Sequence, residues 1–465
     1  MISRGNEETD CETLLRIYRA LVRSKLDYGC EIYGTAPAGV LEKLDPVHHK
    51  GLRACLGAYR TSPFESLYAV TGEMSLTKRR EMLQMNYYVK MKQFLPHELP
   101  LRLDDKSLDG EYSRTNTNKP ISLGFSVRKR LDNMNLEIPY ITLIRESPLG
   151  PWQRKTPETC TYLTKYDKNS TSSTEFLQVF LEHKHKSDLD IYTDGSKGDE
   201  RVGAGVIAVS KNKTSYSIVR RLHNFASIYT AELYAIKIAL LSLKSCKNIT
   251  CTIYSDSLSA IQAIKNQARH RIILDIIEVN AQLIYKRIIV KLCWLPSHVG
   301  IDGNEQADKK AKEATKLEGI STQELPPSDV KSVIKKKVLS QWKKEWEAKT
   351  IQEVKCKEVF ENLQIKPLDL NLKRRDAKVI ARLQIGHTRL TNCYLFERED
   401  PEEVVRCVRC GEQYSVKHIL VGCTHLAVER ARFYKSRSLK ELLTTREGAI
   451  AVLKFLHHMK IFYKI

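Results

Sequence analysis

No stretch of this 465-residue chain stays apolar for long enough to cross a bilayer, and no convincing signal peptide is present. These absences argue against a membrane partner and predict an intracellular protein, in the nucleus or the cytoplasm. Acidic residues are in deficit, 55 Asp and Glu against 76 Lys and Arg, giving a formal charge of +21 and a pI near 9.3. A polyphosphate partner, bound with salt-dependent affinity, is the natural reading of that balance. There is no internal repeat and no long low-complexity tract, which excludes solenoid and propeller arrays. Cysteine is not scarce. The 12 thiols are mostly scattered through apolar segments, a pattern of reduced intracellular thiols and not of a disulfide scaffold. The length allows roughly two to four domains.

What the chain does contain is a set of four carboxylates in ordered settings. They are Asp194 in Tyr-Thr-Asp-Gly-Ser-Lys, Glu232 in Tyr-Thr-Ala-Glu-Leu, Asp256 in Tyr-Ser-Asp-Ser and Asp308 in Gly-Asn-Glu-Gln-Ala-Asp. The alternating run 188–193 predicts a strand that stops at the turn signal Asp194-Gly195-Ser196. Residues 202–210 and 215–222 predict two further strands of an antiparallel meander. A helix is expected from Thr230, its N-cap, to about Cys246, with Glu232 in the first turn. Residues 249–255 read as a strand ended by Asp256, 257–265 and 271–287 as helices, and 288–295 as a last strand closed by Pro296. A mobile-looking loop, 297–303, precedes a helix capped by Asn304, with Asp308 one turn inside. Two carboxylates thus end strands and two sit in helices. Such groups can converge at one sheet edge, where a divalent cation offsets their repulsion.

The β-β-β-α-β-α-α-β-α order resembles ribonuclease H of type 1. So do the motifs Thr193-Asp194-Gly195-Ser196, Thr230-Ala231-Glu232-Leu233, Ser255-Asp256-Ser257 and Leu295-Pro296-Ser297-His298 followed by Gly303-Asn304-Glu305-Gln306-Ala307-Asp308. The resemblance covers Asp188 to about Leu317. It implies an α/β fold, a mixed five-stranded sheet with flanking helices. It also implies hydrolysis of the RNA strand of RNA/DNA hybrids by two-metal catalysis with Mg²⁺, Mn²⁺ being a substitute ion. By the same resemblance Asp194 bridges the metals, Glu232 and Asp256 hold one, Asp308 holds the other, and His298 helps proton movement and product release. Backbone groups near Gly195-Ser196 and polar side chains near Asn224 to Ser227 lie where the family reads RNA. One departure stands out. Cellular members often carry a basic, Trp-containing protrusion where this chain has only the link Asn266 to His270, so binding is expected to depend on neighbouring segments. Other metal nucleases and transposases use this fold, but a glutamate in the helix directly after the meander disfavours them.

The neighbouring segments are basic, with runs Arg128-Lys-Arg130, Lys335-Lys-Lys337 and Lys373-Arg-Arg375. Residues 1–100 read as a helical module. They resemble the region after the polymerase thumb in non-LTR retrotransposons of the jockey type, where a ribonuclease H domain follows. An aromatic-x-Asp-Asp hairpin of a reverse transcriptase is missing; the pair Asp104-Asp105 sits in a polar stretch. The chain is therefore expected to be a downstream polyprotein fragment, with a reverse transcriptase as a partner in trans. Residues 101–186 read as linker, 187–317 as the nuclease domain, and 318–465 as a helical region with one further motif. That motif, Cys407-Val-Arg-Cys410-Gly411 followed by His418 and Cys423, has the form C-x2-C-x7-H-x4-C, suited to tetrahedral Zn²⁺. His425 and Cys393 are alternative ligands. The pattern also resembles the zinc-binding segment downstream of the polymerase in many non-LTR elements. The alternative to an active nuclease is a catalytically weak, nucleic-acid-binding remnant of such an element.

Overall fold

The computed structural model describes residues 9–114, 120–166, 170–198, 201–210, 213–322, 324–392, 406–407 and 409–465. They divide into two compact units, one of residues 86–104 and 131–334, the other of residues 1–85, 105–130 and 335–465.

The first unit is built on a mixed six-stranded sheet. Its strands are β1 (Glu158–Cys160), β2 (Leu189–Gly198), β3 (Arg201–Ser210), β4 (Lys213–Leu222), β5 (Thr250–Ser255) and β6 (Ile289–Trp294), in the order β1-β6-β5-β2-β3-β4. β2, β3 and β4 pair antiparallel, whereas β2-β5, β5-β6 and β6-β1 are parallel. The helices are α1 (Ser173–His183), α2 (Ile228–Ser242), α3 (Leu258–Lys265), α4 (Arg271–Tyr285) and α5 (Asp302–Lys316). Alternation along each strand assigns the faces. Ile191, Ala204, Val206, Ile253 and Leu292 pack with Leu233, Ile236, Ile273 and Ile276 of α2 and α4. Tyr192, Ile207, Tyr254 and Cys293 form the opposite face with Phe176 and Phe180 of α1 and Ala307 of α5. α2 buries nine residues, including Glu232, because it lies on the sheet and α4 packs against it.

Five strands and four helices occupy the expected places; the differences are local. β2 does not stop at Asp194-Gly195-Ser196 but runs to Gly198, because β3 pairs with it throughout, Asp194 opposite Gly205 and Gly195 opposite Ala204. The N-cap of α2 is Ser227, whose hydroxyl accepts from the Thr230 N–H at 3.1 Å, so Glu232 falls in the second turn. α5 begins at Asp302, with Ile301 as N-cap, and Asn304 is inside the helix. The sixth strand, β1, lies in the stretch expected to be irregular. So do the helices Asp109–Arg114, Leu123–Asn133 and α1. α1 is opened by a Ser172/Glu175 capping box, and burial of Phe176 and Phe180 on the sheet secures it.

The second unit is helical. Leu15, Leu52 and Leu67 share one apolar core with Trp342, Phe360, Ile380, Leu443 and Phe455. The Trp346 indole N–H donates to the Phe360 carbonyl at 3.1 Å, which satisfies a polar atom inside that core. Among the described residues no helix is long and apolar enough to cross a membrane.

Candidate metal centres

β2 outruns its parallel partner. The β2-β5 ladder ends at Thr193 opposite Ser255, while β2 continues beside β3, so Asp194 stands where the sheet opens on one side. Asp256 is the first residue after β5 and comes to the same place. Two glycines admit the helices. A Cβ at Gly195 would lie 2.7 Å from the Glu232 backbone nitrogen, and one at Gly205 would lie 2.4 Å from the Ala311 nitrogen and 2.6 Å from the Ala307 carbonyl oxygen. α2 and α5 therefore approach the strands more closely than any side chain permits, and bring Glu232 and Asp308 towards Asp194.

The result is a carboxylate group in which Asp194 and Glu232 are buried and Asp256 is half-buried. One carboxylate oxygen each from Asp194, Glu232 and Asp256 lie within 4.8 Å of one another. Asp194 and Glu232 are 6% and 7% exposed, and Oδ2 of Asp194 and Oε2 of Glu232 have no hydrogen-bond partner among the described residues. Asp308 stands outside this trio. Its Oδ2 takes an ion pair from Lys312 at 2.7 Å, one turn along α5, but its charge still acts on Asp194. Burial, then the charges of Asp256 and Asp308, push the Asp194 carboxyl up to about 7. Burial and the charges of Asp194 and Asp256 push Glu232 well above the usual carboxylate range, and the Gly195 backbone N–H offsets this only in part.

Crowded, dehydrated oxygens whose lone pairs accept no hydrogen bond suit a hard divalent cation. The donor set at Asp194, Glu232, Asp256 and Asp308 thus fits Mg²⁺ or Mn²⁺. Linkage gives a test. Because the folded-state value of Asp194 lies above its ordinary 3.8, the native state holds a proton that the unfolded chain releases. Stability of the metal-free protein should therefore fall as pH rises from about 4 to about 7, by roughly 5 °C or more in melting temperature. Mg²⁺ should reverse the loss at neutral pH. A melting temperature in chelator that does not change across this window would rule out the crowding.

His298 is not within the carboxylate group. It sits exposed on the loop after β6, with φ +57°, between the buried Leu295 and Val299, and Gly300 follows at φ +81°. The polar residues from Asn224 to Ser227 are already engaged. Arg221 donates to the Asn224 side-chain oxygen at 3.2 Å, Ser227 caps α2, and its N–H donates to Asp329 at 3.0 Å. Lys197, further along β2, donates to the Ala226 carbonyl at 2.6 Å. The i,i+4 spacing of Asp308 and Lys312 is the sequence signal for an ion pair not anticipated above.

A second donor cluster lies in the helical unit. The Gly411 N–H donates to the Cys407 carbonyl and the Cys407 N–H to the Glu412 carbonyl, both at 2.8 Å, and Gly411 takes φ +68°. This tight turn folds Cys410 back beside Cys407. His418 opens a short π-helical turn, His418–Gly422, that ends at Cys423. Sulfur or imidazole atoms of Cys407, Cys410, His418 and Cys423 lie within 4.8 Å of one another. The Cys410 and Cys423 sulfurs are 3.9 Å apart. Tetrahedral Zn–S bonds of about 2.3 Å imply a sulfur separation of about 3.8 Å. His418 Nδ1 lies 3.1 Å from a Glu412 carboxylate oxygen, which leaves Nε2 facing the Cys410 sulfur at 3.2 Å. The hydrogen bond from His418 holds the Cys407 thiol down at about 6, while burial and its thiol neighbours push Cys410 up to about 11. His425 is turned away, its Nε2 on the Arg409 carbonyl at 3.2 Å. Cys393 lies outside the described residues.

Two solved structures are similar to part of the chain. One is RNase H1 from the halophilic archaeon Halobacterium salinarum NRC-1, at 17% identity, with 27% of this chain and 96% of that chain covered and a TM-score of 0.23. The other is the N-terminal RNase H domain of rv2228c from Mycobacterium tuberculosis, solved as a fusion with maltose-binding protein. It gives 17% identity, coverage of 28% and 98%, and a TM-score of 0.24. Residues 186–316, which hold β2 to β6 and all four carboxylates, match the RNase H family model and form an RNase H domain.

Proposed function

We propose that this chain hydrolyses the RNA strand of RNA/DNA hybrids, with two Mg²⁺ ions held by Asp194, Glu232, Asp256 and Asp308. The observation that carries the reading is the convergence of the Asp194, Glu232 and Asp256 carboxylates, with unpartnered oxygens on the buried Asp194 and Glu232, inside an RNase H-matched segment. When bound, divalent metal makes water nucleophilic near neutral pH and neutralises the leaving oxygen. The protein's part is to hold charge in place. Asp194, paired with β3 just past the point where β5 ends, would contribute to holding both ions. Glu232 and Asp256 would hold one ion, and Asp308 the other. Lys312 partly neutralises Asp308 in the free protein, and releasing that pair frees a lone pair for metal. His298, on its exposed loop, moves a proton or assists product release.

The wider organisation follows the same reading. Residues 187–317 are the nuclease domain of a retrotransposon-derived chain, residues 1–100 a helical post-thumb segment, 101–186 a connection and 318–465 a helical zinc-bearing region, with a reverse transcriptase acting in trans. A second reading, a weakly active nucleic-acid-binding remnant, is favoured by one observation. Only a short link, residues 266–270, joins α3 to α4, with no basic protrusion there. The deciding experiment is cleavage of RNA/DNA hybrid, duplex RNA and duplex DNA, with Mg²⁺ and with chelator. Metal-dependent cut RNA only in the hybrid supports the nuclease; binding without cleavage supports the remnant. In the same assay His298→Ala should slow turnover by roughly 10²-fold or less. Unchanged turnover at saturating substrate would make His298 a plain loop residue.

A further inference from the structure

We propose that Cys160, His185 and Cys293 form a separate site for one thiophilic cation, Zn²⁺, which fastens the edge strand β1 to the sheet. No sequence motif joins these residues; tertiary structure assembles them. β1 and β6 are parallel, and Cys160 stands opposite Cys293 in their register, so both side chains face the same side of the sheet. His185 lies in the segment between α1 and β2. One ligand atom from each of the three lies within 4.8 Å of the others. Cys293 is 1% exposed, and Cys160 and His185 are half-buried. Nε2 of His185 is buried without a hydrogen-bond partner among the described residues. A buried imidazole nitrogen left unpaired is disfavoured, and a cation between it and two sulfurs supplies what it lacks.

The donor set selects the ion. Two sulfurs and an imidazole suit Zn²⁺ and reject the hard Mg²⁺ of the carboxylate group. On binding, two S–H bonds break, two Sγ–Zn bonds form and two protons pass to solvent, while the neutral imidazole gives its lone pair. The product is a neutral centre, which tolerates burial on this largely apolar face. Water takes the remaining position. The consequence is mechanical. β1 has only three residues and hydrogen-bonds to one neighbour, too little to hold an edge by itself. A metal linking it to β6 and to the entry of β2 locks the segment before the RNase H domain onto the sheet.

The test is elemental analysis of the purified full-length chain and of His185→Ala, prepared under reducing conditions with Zn²⁺ present. His185→Ala should hold about one zinc ion per chain fewer than the parent. The comparison is a difference, so the occupancy of the Cys407 cluster does not affect it. Co²⁺ substitution should show thiolate-to-metal absorption that falls in the variant, and native alkylation of Cys160 should quicken on chelation. If His185→Ala does not fold, Cys160→Ser provides the same readout. Equal zinc in parent and variants would overturn the proposal. So would recovery of Cys160 and Cys293 from the parent as a disulfide-linked peptide pair.

Discussion

Asp194→Asn is expected to lower hybrid cleavage by at least roughly 10³-fold while leaving hybrid affinity within about threefold. Asparagine keeps the shape of the side chain and removes its charge. The strand position is retained, since β2 is paired on both sides up to Thr193 and with β3 beyond it. A negative charge is lost at the centre of the carboxylate group. A second consequence separates this account from simple damage. Removing one of several crowded carboxylates relieves repulsion at Glu232, whose proton affinity Asp194 raises. In chelator, Asp194→Asn should therefore melt higher than the parent at neutral pH, and added Mg²⁺ should stabilise it less. Kinetics, hybrid binding and melting on the same preparations make the check. Retained cleavage would remove Asp194 from the metal site. Binding and melting temperature that fall together with activity would mean that the substitution had only disrupted the fold.

Stripping zinc from the Cys407 cluster should produce the other large effect. Structural zinc sites contribute apparent binding energies of about 10–16 kcal/mol, and four protein ligands leave no position for a reacting water. With Cys410→Ser, or after a zinc-selective chelator, the turn around Gly411 should lose its order. The Mg²⁺ dependence of cleavage should stay as it was, because no carboxylate of the RNase H domain belongs to this cluster. Arg406, Arg409 and Lys417 flank the ligands, and Lys417 already pairs with Glu358 at 3.5 Å. If these cations meet phosphate, hybrid affinity should drop about 10-fold, and the slope of log affinity against log salt should become shallower by roughly two. Filter binding of the full chain at several salt concentrations reads both. Identical affinity and slope with and without zinc would exclude the cluster from the nucleic-acid surface. A parent protein that holds no zinc at the cluster would remove the metal itself.

The sequence by itself determined whatever rests on near neighbours. The helical spacing of Leu233, Ile236 and Leu240, the alternation through Leu189 and Ile191, and the C-x2-C turn closed by Gly411 are local patterns, and each needs only a few residues to act. The four carboxylate motifs stand out for the same reason, since each is a short local pattern, although the offsets of Asp194, Glu232 and Asp308 from their element ends differ from those expected. Where two local signals compete, the local pattern misplaces the element boundary. Thr230 and Asn304 are both good N-cap residues, but α2 starts three residues earlier at Ser227 and α5 starts at Asp302. Asp194-Gly195-Ser196 has turn chemistry and is strand instead, because its partner β3 supplies hydrogen bonds that no local pattern records. Tertiary structure alone decided how closely the carboxylates approach, since this depends on helices settling over Gly195 and Gly205. It alone placed Asp308 outside the tight trio and added β1 to the edge of the sheet. It also brought Cys160, His185 and Cys293 together, because parallel pairing joins residues far apart in the chain and leaves no periodic trace in the order of amino acids.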